Sequence, residues 1–171
     1  MANTYSLIEA KTLTTTTATV TFSAIPGTYT DLLLKVSVRG DAGGTDIKIQ
    51  FNGSTASVYT YRRLYGDGTT LATSSTTTTN LINNMVAQSS YTANTFGNGE
   101  MYIPNYTSTN VKSVSIDGVN ENNATGAIAA LTAGLWNPAT QAAITSIELE
   151  IDGGADFVQH STFYLYGIKN S

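Results

Sequence analysis

The chain has 171 residues, a formal net charge of −4 and no cysteine, and only 12% of its residues are charged. Without cysteine it has no disulfide, no thiolate metal site and no thiol nucleophile. Its eight Lys and Arg residues are scattered rather than clustered, which argues against nucleic-acid binding. A chain of this length suits one domain with a hydrophobic core of its own.

The N-terminal sequence "MANTYSLIEA" has neither the basic region nor the apolar region of a secretory signal. No stretch approaches the ~20 apolar residues that a membrane helix needs. We therefore expect synthesis in a cytoplasm and no membrane segment.

Threonine is the most informative residue type, because the chain contains 29 of them. A β-branched side chain suits the pleated surface of a strand and loses rotamer freedom in a helix. Ten tyrosines against one tryptophan favour strands as well. The composition therefore predicts a sheet protein with an uncharged, hydroxyl-rich surface.

Strand signals follow one another along the chain. In "DLLLKVSVRG" the residues Leu32, Leu34, Val36 and Val38 alternate with their neighbours, which is the period of a half-buried strand. This succession predicts an all-β fold, an antiparallel β-sandwich of eight to ten short strands. The predicted strands cover residues 5–11, 18–22, 32–39, 47–51, 57–66, 98–104, 111–119, 126–136, 143–151 and 161–168.

The domain organisation is simple. Residues 1–17 form an N-terminal strand or arm, and residues 18–171 form a single β-sandwich domain. The low-complexity stretch 69–79 predicts a mobile loop, and the helical spacing of the apolar residues in 81–86 predicts a short helix or helical turn. The Lys35 and Arg39 side of the third strand faces either solvent or a partner.

No catalytic residues emerge from the sequence. His160 is the only histidine, and no G-x-S-x-G motif accompanies it, so we interpret it as a surface histidine at a strand edge. A glycoside hydrolase needs two paired carboxylates, and nothing in the sequence brings Asp117, Glu121 or Glu148 together. We expect no enzyme activity and no cofactor.

Two acidic, glycine-rich loops are weak candidates for a metal site. "GDAGGTD" contains Asp41 and Asp46, and "DGGAD" contains Asp152 and Asp156. Carboxylates this close together are able to share Ca²⁺, although neither loop has EF-hand spacing. The alternative is a pair of strand-to-strand turns, in which Gly supplies positive φ and Asp binds the backbone. We expect turns.

An aromatic and basic cluster is the candidate contact surface. Its side chains are able to stack on a glycan or to line a partner interface, and the alternative is that most of them fill the core or its rim. The cluster comprises Tyr59, Tyr61, Arg62, Arg63, Tyr65 and Trp136.

Three stretches of the chain resemble small virion proteins of tailed bacteriophages. They are the opening "MANTYSLIEAKTLTTTTATVTFSAIPGTYTDLLLKVSVRG", the central "MYIPNYTSTNVKSVSIDGVNEN" and the closing "LWNPATQAAITSIELEIDGGADFVQHSTFYLYGI". The resemblance implies a jelly-roll-like sandwich on the outside of a particle, without catalytic residues. His160 stands where the closing motif of that family would have Gly.

The resemblance implies two roles. The first is a capsid decoration (cement) protein that binds the major capsid protein on the outside of the shell, as a homo-oligomer, with a trimer expected. The alternative is a receptor- or carbohydrate-binding module of a tail fibre or spike, which would bind a surface glycan. Either role places the protein on the virion surface after synthesis in the host cytoplasm. We rank decoration first, because the chain has no extended fibre region.

Overall fold

The computed structural model describes residues 4–122 and 126–169. Within them the chain forms thirteen strands and no helix. The strands are β1 (Tyr5–Thr12), β2 (Thr19–Phe22), β3 (Asp31–Arg39), β4 (Asp46–Phe51), β5 (Tyr59–Gly66), β6 (Leu71–Thr78), β7 (Leu81–Asn84), β8 (Val86–Ala87), β9 (Gly97–Ile103), β10 (Lys112–Val119), β11 (Ala129–Trp136), β12 (Ile147–Ile151) and β13 (Thr162–Ile168).

The strands form two sheets. The large sheet has the order β1-β13-β3-β9-β10-β11-β5-β6, and β8 pairs with β3 beside this path. The small sheet has the order β2-β12-β4-β7. All pairs of neighbouring strands are antiparallel except β3 with β8. The predicted all-β fold and antiparallel sandwich are confirmed, whereas the jelly-roll-like topology stays a prediction.

The core lies between the inner faces of the two sheets. The inward positions of β3 are Leu32, Leu34, Val36 and Val38, and all four are buried as their alternation predicts. The small sheet covers them with the inward side chains of its own strands, such as Leu149. Period two on both sheets therefore builds one continuous core.

The stretch predicted as a mobile loop is an ordered strand. β6 pairs with β5 over its whole length, from Tyr59 opposite Thr78 to Gly66 opposite Leu71. Asp67 makes the turn between them, since its carboxylate accepts hydrogen bonds from the backbone N–H groups of Thr69 and Thr70. These bonds lower the pKa of Asp67 to about 2.

The helix predicted in 81–86 is wrong, and so is the strand count of eight to ten. The segment forms β7 in the small sheet and β8 in the large sheet, and Met85 lies where the chain crosses between them. Because the chain passes from one sheet to the other here, the apolar residues of this segment are all at least partly buried and do not alternate with exposed ones. The resulting spacing of apolar residues resembles that of a helix. Gly118 makes room for the crossing, since a Cβ there would lie 2.5 Å from the carbonyl oxygen of Asn84.

The N-terminal segment contributes a strand to the large sheet. β1 pairs with β13 from Tyr5 opposite Ile168 to Thr12 opposite Thr162, with a register shift between Leu7 and Glu9. Thr17 forms a further bridge to Phe157. Both ends of the segment described in the structure are thus held by backbone pairing to the rest of the sandwich.

Candidate functional site

Three members of the aromatic cluster lie in the core, namely Tyr59, Tyr61 and Trp136. Tyr59 is 0% exposed and Trp136 is 3% exposed, and both pack around Phe51. The Tyr59 hydroxyl accepts a hydrogen bond from the Phe51 N–H at 2.9 Å, and burial raises the pKa of this tyrosine. Neither ring is available to stack on a sugar.

The members of the cluster that lie on β5 point to opposite sides of that strand. Tyr61 and Tyr65 share the inner side with Arg63, whose guanidinium lies 4.5 Å from the centre of the Tyr65 ring. Arg62 is exposed on the other side. The structure therefore divides the cluster between the core, its rim and the outer surface instead of presenting it as one platform.

Arg63 ties the two sheets together. Its Nη1 lies 2.6 Å from Oδ1 of Asp46 on β4, and it also donates to Oδ1 of Asn84 at 3.1 Å. Both side chains of the ion pair are largely buried. Burial raises the pKa of Asp46, and the Arg63 charge opposes that shift.

The acidic loops lie side by side, and the carboxylates of Asp41, Asp46 and Asp152 have protein partners. Asp41 accepts a hydrogen bond from the Asp156 N–H at 2.9 Å, and Asp152 pairs with Lys48 at 3.1 Å. Asp46 is bound to Arg63. In the described part of the chain no group of three or more His, Asp or Glu side chains is arranged to hold a metal ion. The loops act as turns that bind each other.

His160 occupies a tight turn before β13. Its φ of 72° is in the left-handed region, where Gly is favoured, and its N–H donates to the Leu13 carbonyl at 2.9 Å. The side chain is exposed. The backbone at this position therefore has a conformation that favours Gly over a residue with a side chain.

Arg39 neither points freely to solvent nor remains open to a partner. Its guanidinium donates to four backbone carbonyls of one loop, at distances of 2.9–3.1 Å. The N–H groups of Nη1 and of Nη2 thus each have two backbone acceptors. Arg39 therefore orders the loop that follows β8, and the carbonyls it binds are those of Ser89, Tyr91, Thr92 and Thr95.

The feature that stands out on the surface is the outer face of the large sheet, meaning the side that points away from the small sheet. Seven of the large hydrophobic side chains exposed in the described residues project from strands of this face, and Val111 directly precedes one of those strands. The seven are Tyr5, Leu7, Leu64, Leu71, Tyr102, Val119 and Leu131.

One half of this face is a leucine patch, formed by Leu64, Leu71, Val119 and Leu131. Leu64 and Leu131 are directly opposite each other on β5 and β11. A shallow groove of about 450 Å³ runs beside them and is also lined by Arg62 and hydroxyl side chains of β6. The leucine patch thus combines apolar side chains with neutral hydrogen-bonding groups.

The other half is an aromatic patch around Tyr5, Leu7 and Tyr102. Leu33 and Tyr166 lie between these residues, and a second groove of about 370 Å³ opens there. Lys35 and Glu100 form an ion pair of 2.7 Å near the middle of the face, with Asp117 next to Glu100 across β9 and β10. One cation and two carboxylates are thus the charged groups near the centre of the face.

The alternation of residues in β5 and β11 indicates the leucine patch, although the tyrosines of β5 suggest a different contact surface. Leu64 lies between Arg63 and Tyr65, so a strand that turns its tyrosines inward must turn Leu64 outward. Leu131 alternates in the same way with Ala130 and Thr132, both of which are buried. An apolar residue at a position that alternates with the inward residues of its strand therefore indicates an exposed apolar patch.

Comparisons with known proteins give no family for this chain. No protein-family model matches it, and a search of curated proteins found no significant match. The structure has no helix long and apolar enough to cross a membrane within the residues it describes.

Proposed function

We propose that this chain is a non-enzymatic structural protein of a bacteriophage virion, and that it decorates the outside of the capsid by docking the outer face of its large sheet on the major capsid protein. The observation that carries the proposal is the concentration of exposed apolar side chains on that face. The resemblance to small virion proteins of tailed bacteriophages supplies the partner. The protein would act at the virion surface after synthesis in the host cytoplasm.

The outer face has the size that such a contact requires. Eight strands spaced about 4.8 Å apart and about 27 Å long cover on the order of 1,000 Å². A standard stable interface buries about 800 Å² on each partner. The face is therefore large enough for a specific contact without help from the small sheet.

The chemistry of the face suits many weak and equivalent contacts. Leucine, tyrosine and threonine side chains offer apolar area and neutral hydrogen bonds, and they avoid the desolvation cost of isolated charges. In a shell the contact is repeated by symmetry, and a self-associated protein binds at several points at once. Avidity then gives a stable coat from modest individual affinities.

The alternative role, a glycan-binding module of a tail fibre or spike, depends on a stacking platform. Tyr59 and Trp136 are buried, and Tyr61 is 8% exposed. Of the residues predicted for that platform, only Tyr65 has a partly open ring, and the Arg63 guanidinium lies over it. The predicted cluster therefore lacks a stacking platform, and the glycan-binding role would have to use the tyrosines of the aromatic patch instead. We rank this role second.

The proposal is tested by adding purified chain to assembled shells that lack it and measuring binding by co-sedimentation. We expect Leu64→Ser and Leu131→Ser each to weaken binding about tenfold, because each removes roughly half a leucine of buried area, worth about 1–1.5 kcal/mol. Glu148→Ser, on the small sheet, is the control and should bind like the wild type. Equal binding by all three variants would contradict the proposal.

The copy number in purified virions separates the two roles. A ratio near one chain per major capsid protein, or one trimer per local threefold position, is expected for a decoration protein. A handful of copies per particle would place the chain in the tail instead. Quantitative mass spectrometry against the major capsid protein gives this ratio.

A further inference from the structure

The large sheet ends in two edge strands that differ in how well they are protected. At one edge, β1 has a register shift between Leu7 and Glu9, and it carries the charged side chains of Glu9 and Lys11. Bulges and charges are the devices by which natural sheets prevent an edge from pairing with another chain. The β1 edge is therefore blocked.

The other edge, β6, has none of these devices. Its sequence "LATSSTTT" contains no charged residue and no proline, and its register with β5 is continuous over eight residue pairs. In the described residues β5 is its only hydrogen-bonded neighbour. Eight residues of neutral backbone are thus open on one side.

The hydrogen-bond pattern identifies which backbone groups are open. The Asp67 N–H donates to the Thr70 carbonyl, and the Asn137 N–H donates to the Val58 carbonyl on the far side of β5. In an antiparallel ladder, hydrogen-bonded residue pairs alternate with pairs that are not hydrogen-bonded. Both hydrogen bonds indicate that the even-numbered residues of β6 are the ones that bond to β5. The backbone groups that do not bond to β5 belong to Leu71, Thr73, Ser75 and Thr77, whose side chains lie on the outer face. Of these groups, the Thr77 carbonyl accepts a hydrogen bond from the neighbouring Thr76 hydroxyl at 3.2 Å.

We propose that β6 pairs antiparallel with β6 of a second copy of this chain, about a two-fold axis that passes through Ser74. In this register Leu71 lies opposite Thr77 of the second copy, and Thr73 lies opposite its Ser75. The open groups of both strands then exchange about eight backbone hydrogen bonds. The outer faces of the two copies join into one continuous surface. This dimer takes the place of the trimer that the resemblance implies, and the inference does not depend on the proposed function.

As a partner for the β6 edge, β6 of a second copy fits better than β1 of another copy. Residues that pair across the two-fold axis point to the same side of the sheet, so the side chains of both copies stay on matching faces. A neutral strand meets its own copy without like-charge repulsion, and the Thr73–Ser75 contacts are favourable hydroxyl pairs. A ring that joins β6 of one copy to β1 of the next would have to use the blocked edge.

The size of the contact sets its expected strength. An eight-residue edge is about 27 Å long and about 10 Å thick, so each copy contributes on the order of 300 Å². That is small beside a standard interface. We therefore expect a concentration-dependent dimer with a dissociation constant in the micromolar range.

Sedimentation equilibrium of the full chain over a concentration series tests the inference. The wild type is expected to shift from its mass of 18.0 kDa toward twice that value. Thr73→Lys places a cation on the edge next to its symmetry copy, and Thr73→Pro removes an outward N–H without touching the bonds to β5. Each should weaken the dimer at least tenfold. Thr21→Lys, the same change on β2 opposite Glu148, is the control and should leave it unchanged.

Hydrogen exchange of the same samples gives an independent readout. Raising the concentration should slow exchange at the amides of Leu71, Thr73, Ser75 and Thr77, while the alternate amides of β6 are already bonded to β5. A chain that stays monomeric at millimolar concentration, a trimer, or a dimer that both Thr73 variants leave intact would overturn the inference. Circular dichroism confirms that each variant is folded.

Discussion

The outer faces of the two sheets are built from strands of the same kind and yet differ in polarity. The small sheet exposes Thr21, Lys48, Gln50, Glu148 and Glu150, and Lys48 forms an ion pair across its end. The large sheet exposes leucine, valine and tyrosine instead. Both sheets bury alternate residues equally well, so the difference arises only from the residues that point away from the core.

This difference separates folding from function. Residues on the inner faces are explained by the core that they build, whereas an exposed leucine gains nothing from folding. A monomeric protein rarely keeps a large exposed apolar patch without a binding role. The outer face of the small sheet is suited to contact with water and that of the large sheet to contact with a partner, so the two sides of the sandwich differ in role.

The largest effect that tests this separation comes from a matched pair of leucines. Leu34→Ala, on the inner side of β3, should lower the free energy of unfolding by about 3 kcal/mol, because it opens a cavity at a site 2% exposed. Leu64→Ala, on the outer face of β5, should change it by less than about 0.5 kcal/mol. Urea unfolding measures both. A large loss for Leu64→Ala would mean that the leucine patch is structural.

Two adjacent arginines give the next test. Arg63→Ala should lower the free energy of unfolding by about 2 kcal/mol, because it leaves the Asp46 carboxylate buried without its partner. Arg62→Ala removes an exposed side chain on the opposite side of the same strand and should cost less than about 0.5 kcal/mol. Thermal unfolding at pH 7 compares them. Equal losses would show that the sides of β5 do not differ.

The pH dependence of Arg63→Ala has a defined sign. Burial holds the pKa of Asp46 above its ordinary value, so the folded state binds this proton more tightly than the unfolded state. The stability from this group is present below pH 3.8 and is lost as the pH rises through the folded pKa. Without Arg63 that pKa rises further, so the loss caused by the substitution should shrink on acidification.

Most of the fold is predictable from the sequence, and the exceptions have physical reasons. Ten strands follow from alternation of apolar residues, as in β3 and β10. β6 does not show this alternation, because an edge strand that is covered on neither side needs no apolar face. The Asp67-Gly68 turn is the feature of the sequence that indicates its hairpin with β5. β7 and β8 do not show the alternation either, because Leu81, Met85 and Val86 are buried in two different sheets.

The surface was less predictable than the fold. Aromatic residues attract attention as binding groups, yet the same property makes Tyr59 and Trp136 good core residues. Sequence alone does not say which side of β5 faces the small sheet, since both sides carry large side chains. Once that side is known, the facing of Leu64 and Leu131 follows from period two.

The smallest expected effect concerns the charges in the middle of the outer face. Burial and the neighbouring Glu100 charge hold the pKa of Asp117 above its ordinary value, and the hydrogen bond and charge of Glu100 raise the pKa of Lys35. Glu100→Gln should lower both values, with a change in unfolding free energy below about 0.5 kcal/mol, because the ion pair is half exposed. An NMR titration of the Asp117 carboxyl measures the shift.

Glu148→Gln is the matched control, since it removes a carboxylate from the outer face of the small sheet, on the far side of the sandwich. It should leave the pKa of Asp117 where it is. If Glu100→Gln also leaves it there, burial alone accounts for the raised pKa. Asp117 would then be independent of the Lys35–Glu100 ion pair. A lowered pKa would show that Asp117 and Glu100 interact, so that a partner docking over the middle of the face would meet one coupled group of charges.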